Sequence, residues 1–148
     1  MTGTAGLVVL VVALGGATVF GLVWRWRGGR FRGVRRGGAV GGGAVGEVLS
    51  AAELGEPLGE RATVVQFSSA FCQPCRATRR VVAEVAGMVD GVRQVELDAE
   101  ANLGLVRRLN VLRTPTLLVL DAEGAVVRRA AGLPRKADVI AAIGEAVR

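Results

Sequence analysis

The sequence contains no histidine, which removes much of the usual chemistry of a small enzyme. General-base catalysis through imidazole is excluded. Ser68 and Ser69 therefore cannot belong to a Ser-His-Asp system. Only two cysteines are present, Cys72 and Cys75. A structural zinc site takes four Cys or His ligands, so one copy of the chain cannot complete it, although a dimer sharing both pairs can. Charge is missing locally, since Met1 to Trp24 carries no charged side chain. Lysine is nearly absent, at Lys136 alone. With so much alanine, glycine and valine, that scarcity reads as genome composition, and no function is assigned to it. The formal charge of +6 sits in one place, the six arginines between Arg25 and Arg36. From Gly37 onward, 13 basic residues face 13 acidic ones. The basic balance is therefore a property of one short segment and not a nucleic-acid signal.

The uncharged start is also apolar. Leu7 to Trp24 has Thr18 as its only hydroxyl, and about 20 helical residues cross a ~30 Å hydrocarbon core. A cleaved signal peptide wants a basic start and a small-x-small site after a shorter apolar core, whereas here the start carries no basic side chain and bulky Trp24 and Trp26 flank the end. Residues 5–24 read as a transmembrane helix, with Trp24 and Trp26 at headgroup depth. Ala13, Ala17 and Gly21 recur every four residues and offer a close helix–helix face for a weak dimer. Arg25, Arg27, Arg30, Arg32, Arg35 and Arg36 follow at once. Basic flanks stay on the cytoplasmic side, which puts the N-terminus out and the remainder in. Residues 5–36 are the membrane-lipid contact, the arginines facing anionic headgroups. Residues 25–46 form a basic juxtamembrane segment and a glycine-rich linker, with six glycines between Gly37 and Gly46. As a coil it reaches ~25 Å.

Residues 47–148 hold the folded domain. Ser50-Ala51-Ala52-Glu53 matches a capping box for a short helix ending near Gly55. Thr63 to Ser68 is a buried strand. Gln73 to Met88 is a helix with Val81, Val82, Val85 and Val89 on one side, stopped by Gly91. Val92 to Leu97 alternates as a strand and closes at Asp98. Ala101 to Leu109 is a helix with Leu105, Val106 and Leu109 inward. Thr116 to Leu120 is an apolar strand. Glu123-Gly124 turns it into a second, Ala125 to Ala130. A final helix carries Val139, Ile140, Ile143 and Val147 on one face. The order β-α-β-α-β-β-α predicts an α/β fold, a mixed sheet with helices packed on it.

The two cysteines lie between the first of these strands and its helix. Unpaired backbone N–H groups and the dipole at a helix entrance favour an anion, so a thiol at Cys72 ionises more easily. Pro74 falls in the first turn, where its missing N–H costs nothing. Cys75, three residues on, shares a helical face with Cys72. A strand, a Cys-x-x-Cys pair and a helix read as a thiol–disulfide exchange site. A purely structural bridge over so short a loop removes little unfolded-state entropy.

This arrangement resembles the thioredoxin family over about Val48 to Val147. Cys72 and Cys75 fit its active-site pair. Thr114-Pro115-Thr116 fits its cis-proline opening a strand, Asp98 the acidic end of the middle strand, and Gly132 the glycine before the last helix. The resemblance implies Cys72 as nucleophile and Cys75 as resolving thiol. It implies substrate contacts at Phe71, Gln73, Pro74, Thr114 and Pro115. It also implies that no cofactor is needed beyond the pair itself. The departures are specific. Phe71 and Gln73 replace the family's usual Trp and Gly, and Arg80 replaces a helix-kinking proline. Gln66 stands where a buried Asp is usual, and Gln94 where the lysine facing it is usual. Two amides can satisfy each other by hydrogen bonding, so the shell of the second sulfur reads as amide rather than ionic.

The expectation is a membrane-tethered reductase of protein disulfides on the cytoplasmic face. Its partners would be a disulfide-bearing protein and an electron donor that the sequence does not name, with no nucleic acid and no metal. An oxidase or reductase outside the cell is the alternative if the orientation is reversed. A binding or redox-sensing module without turnover is the alternative from another class.

Overall fold

A computed structural model describes residues 2–27, 32–33 and 47–148. The tether from Gly37 to Gly46 lies outside these residues. The first helix, α1 (Thr2–Arg27), stands apart in composition from everything after it. Its side chains are described from Val8 to Val23, and all of them are exposed. The side chains of Trp24, Trp26 and the arginines after them lie outside the described ones. Among the described residues no helix is long and apolar enough to cross a membrane. The described apolar run of α1 is shorter than the ~20 residues a span takes. A two-residue strand, β1 (Arg32–Gly33), pairs with Arg128 and Arg129.

The domain proper follows the expected order. It contains α2 (Ala51–Leu54), β2 (Ala62–Ser68), α3 (Gln73–Ala86), β3 (Val92–Asp98), α4 (Leu103–Arg108), β4 (Thr116–Asp121), β5 (Val126–Ala131) and α5 (Lys136–Ala146). The strand order is β1-β5-β4-β2-β3. β2 runs parallel to β3 and antiparallel to β4, and β5 is antiparallel to β4. The parallel β2–β3 pair needs a crossover, and α3 supplies it. The β4–β5 turn needs Gly124, whose φ of 83° is left-handed, and a Cβ at this position would lie 2.3 Å from the Leu49 carbonyl oxygen.

β2 is buried along its whole length because both faces of the sheet are covered. Val65 and Phe67 point to one core, with Leu49, Leu54, Val95, Leu97, Leu109, Leu118 and Leu120. Ala62 and Val64 point to the other, with Val82, Val85, Leu117, Val119, Val139 and Ile143. β-branched and aromatic residues suit such a two-sided strand. The last helix buries Val139 and Ile143 as expected, with Val147 packed beside them, but Ile140 turns out and two alanines take its place. Val139, Ala142, Ile143 and Ala146 are buried, whereas Ile140 is 47% exposed. Positions i, i+3, i+4 and i+7 define one helical face, and Ile140 lies about 100° away from Val139. Two alanines allow α5 to approach the sheet closely, a role that size-based patterning overlooks. α3 also stops earlier than expected, at Ala86 with Gly87 as its cap, and Gly91 (φ 78°) instead opens β3.

The capping box of α2 forms as expected. Ser50 N donates to Glu53 Oε2 at 2.9 Å, and Glu53 N donates to Ser50 Oγ at 3.3 Å. Arg108 on α4 closes on Glu53 Oε1 at 2.6 Å and on Glu47 at 3.3 Å. The Ser50 backbone N–H, then Arg108 and the Ser50 hydroxyl, pull the Glu53 pKa down to about 2. The unfolded carboxyl, at ~4.3, therefore takes up its proton first. The stabilisation is complete above ~pH 4.3 and is lost as pH falls toward about 2. Urea midpoints measured across that window should fall more steeply for the wild type than for Glu53→Gln. Parallel slopes would show that the α2–α4 clamp contributes nothing.

Candidate active site

The site forms where β2 ends. Its last residues, Phe67 and Ser68, lie beside the start of β4, with Phe67 opposite Thr116. The chain then turns through Ser69 to Phe71, with Cys72 N donating to Ser69 O at 3.2 Å. Cys72 is the N-cap of α3, in extended geometry (φ −82°, ψ 95°), and Pro74 sits in the first turn. Cys72 and Cys75 are joined in a disulfide, with their Cα atoms 5.3 Å apart. Their exposure differs in the direction that exchange chemistry needs. Cys72 is partly exposed, whereas Cys75 is 2% exposed. Cys72 is open to an incoming group, and Cys75 is covered.

The residues expected to contact a substrate surround this pair. Phe71 is 98% exposed, and Gln73 and Pro74 are exposed beside it. Thr114–Pro115 is a cis peptide, with Pro115 buried and Thr114 half-buried. The Ser69 and Thr114 hydroxyls lie 3.2 Å apart and link the two loops. Gly132 N donates to Pro115 O at 2.8 Å, and Thr116 Oγ1 donates to Arg113 O at 2.7 Å. The proline loop is thus fixed from both sides.

The two amides do not meet. Gln66, fully buried, donates from Nε2 to Cys75 O at 3.0 Å. Gln94 donates instead to Arg79 O at 3.3 Å. The register explains the separation, since Gln66 lies opposite Glu96 and Gln94 lies opposite Val64. The surroundings are not purely amide either. Glu96 accepts from Ser68 Oγ at 2.6 Å and from Arg79 at 2.5 Å. Arg79 lies one helical turn beyond Cys75, so an ion pair ties α3 to β3 in the turn that follows the cysteines. Partial burial works to raise the Glu96 pKa. The hydrogen bonds from Arg79 and Ser68, together with the Arg79 charge, outweigh it and hold the carboxyl below its ordinary range. Strand alternation could have found this cluster, because Gln94, Glu96 and Asp98 share the face of Gln66 and Ser68. Among the described residues no group of Cys, Asp or Glu is arranged to hold a metal ion.

The family model for thioredoxin matches residues 48–145. The chain belongs to the thioredoxin family. The thioredoxin of Mycolicibacterium smegmatis is 29% identical over 90 residues, which is 59% of this chain and 80% of that relative. Among solved structures, a mutant thioredoxin from Halobacterium salinarum superposes with a TM-score of 0.55 at 21% identity, covering 60% of this chain and 77% of that one. Chloroplastic thioredoxin z gives 0.53 at 22% identity, covering 68% and 93%. At those identities the solved structures speak for the fold alone. Thioredoxins carry electrons on their own cysteine pair, without a cofactor. They exchange with disulfide-bearing proteins and with a reductant. In this chain the pair is Cys72–Cys75, on the family's fold and together with a cis-proline at Pro115.

Proposed function

We propose that this member of the thioredoxin family reduces protein disulfides and is held at the cytoplasmic face of a membrane by its N-terminal helix. The observation that carries the chemical part is the unequal exposure of two bonded sulfurs at the entrance of α3. In the reduced protein, the Cys72 thiolate attacks a substrate disulfide. A Cys72–substrate bond forms, and one substrate thiolate leaves and takes up a proton. Cys75 gives up its proton and attacks Cys72 Sγ. The Cys72–Cys75 disulfide forms and the second substrate thiol departs. Two electrons and two protons have then passed to the substrate, and an external dithiol must restore them. The phenyl ring of Phe71 offers the incoming chain an apolar contact, and the backbone at Thr114 offers it main-chain hydrogen bonds.

The anchoring part is supported by composition and by exposure. α1 is apolar on all sides, and its described side chains are exposed along the whole run from Val8 to Val23. A helix of that kind needs an apolar surrounding. The arginines that follow favour the cytoplasmic side.

Cys75→Ser should accumulate substrates as mixed disulfides through Cys72, and Cys72→Ser should trap almost none. Non-reducing pull-downs of the two variants read this directly. Equal trapping by both would overturn the assigned roles. Trapping by neither, with no reduction of insulin by the wild type, would favour a binding or sensing module.

The orientation has its own test. In a chain carrying Cys72→Ser, Cys75→Ser and the exposed Ala122→Cys, a membrane-impermeant maleimide should label only after lysis. Labelling of intact cells would place the domain outside.

A further inference from the structure

Two buried side-chain oxygens, Gln66 Oε1 and Thr78 Oγ1, have no hydrogen-bond partner among the described residues. Both residues are fully buried. An unpaired polar atom in a core costs ~1–3 kcal/mol, so two of them on residues that adjoin Cys75, one by a hydrogen bond to its carbonyl and one a helical turn away, call for a physical reason. The Gln66 amide cannot be turned to remove the problem. Its Nε2 faces the Cys75 carbonyl, which only accepts, so Oε1 must face away from that carbonyl and into the core. Thr78 lies three residues after Cys75 on the buried face of α3. Helical side chains lean toward the N-terminus, so its hydroxyl overlies the turn that contains Cys75. Gln66 is thus tied to the Cys75 backbone from the strand, and Thr78 lies one turn along from Cys75 on its own helix.

In the disulfide state Cys75 Sγ carries no proton and has nothing to donate. Reduction creates a thiol at that position. We propose that Gln66 and Thr78 are the hydrogen-bond partners of the reduced Cys75 sulfur, unpaired in the disulfide and engaged in the dithiol. The Cys75 thiol donates to Gln66 Oε1, and the Thr78 hydroxyl donates to the sulfur. The pair thereby stabilises the reduced form selectively and makes the Cys72–Cys75 couple more oxidising. Neither residue takes up a proton. In the resolving step Cys75–SH and the Cys72–S–S–substrate bond become the Cys72–Cys75 disulfide and substrate–SH, so the proton passes to the departing thiolate. Gln66 and Thr78 are positioning residues, and their role rests on the exchange reading above.

The test is a redox equilibrium on the full-length chain in detergent against reduced and oxidised glutathione, acid-quenched and alkylated to count the two forms. Gln66→Leu and Thr78→Val should each shift the equilibrium toward the disulfide by about 3- to 10-fold, the worth of one net hydrogen bond. Thr78→Ser, which keeps the hydroxyl, should stay within about twofold of the wild type. Urea unfolding of each redox form provides a second readout, and both variants should lose more stability as the dithiol than as the disulfide. Thr78→Val preserves shape and carries the test if Gln66→Leu does not fold. Equal losses in both forms with an unmoved equilibrium would show that the two residues serve packing only, and would overturn the proposal. A pair that glutathione cannot open at all would overturn the exchange reading itself.

Discussion

The structure depends on burying β2 on both faces. Its odd-numbered positions complete one core and its even-numbered positions complete the other, and β3 and β4 hold it from either side. A strand held that firmly delivers its C-terminal end to a fixed point. That end is followed at once by the cysteine pair, and β4 begins beside it, just after Pro115. The reactive geometry is therefore a consequence of packing. Cys72 lies just past the end of the buried strand and stays accessible, while Cys75 is drawn under by the helix that returns across the sheet.

The polar residues at the end of β2 and on β3 show where this chain departs from the usual pattern of its family. An amide fills the place of a carboxylate at Gln66, and a carboxylate stands one strand away at Glu96. The two cannot exchange roles. Glu96 is committed to Arg79 and Ser68, which keep it ionised. Gln66 is committed to the backbone of Cys75. The helix entrance is thus braced by an ion pair from outside and by a neutral amide from within.

Much of this is legible in the chain. The capping box at Ser50, the Glu123-Gly124 hairpin, the buried strand before Cys72 and the order of elements follow from local chemistry, which the tertiary structure respects. The place of Pro115 beside the pair follows from the family resemblance. What the chain does not reveal is set by register and by close approach. Opposing Gln66 to Gln94 requires knowing how β2 slides along β3, and the observed pairing moves Gln94 opposite Val64. On α5, Val139 and Ile143 are buried as expected, but the small Ala142 and Ala146 complete that face and the larger Ile140 points away. Thr78 gives no periodic signal, being a threonine among helical valines. Its interest arises only from Gln66 Oε1, the other buried oxygen near Cys75 that lacks a partner.

β2 and α3 together make two neighbouring cysteines chemically unequal. Brief alkylation of the reduced chain with iodoacetamide at neutral pH, followed by peptide mapping, measures that inequality most directly. Cys72 should be modified at least about tenfold faster than Cys75, since exposure and thiolate character both favour it. Comparable rates at the two cysteines, or faster modification of Cys75, would contradict it.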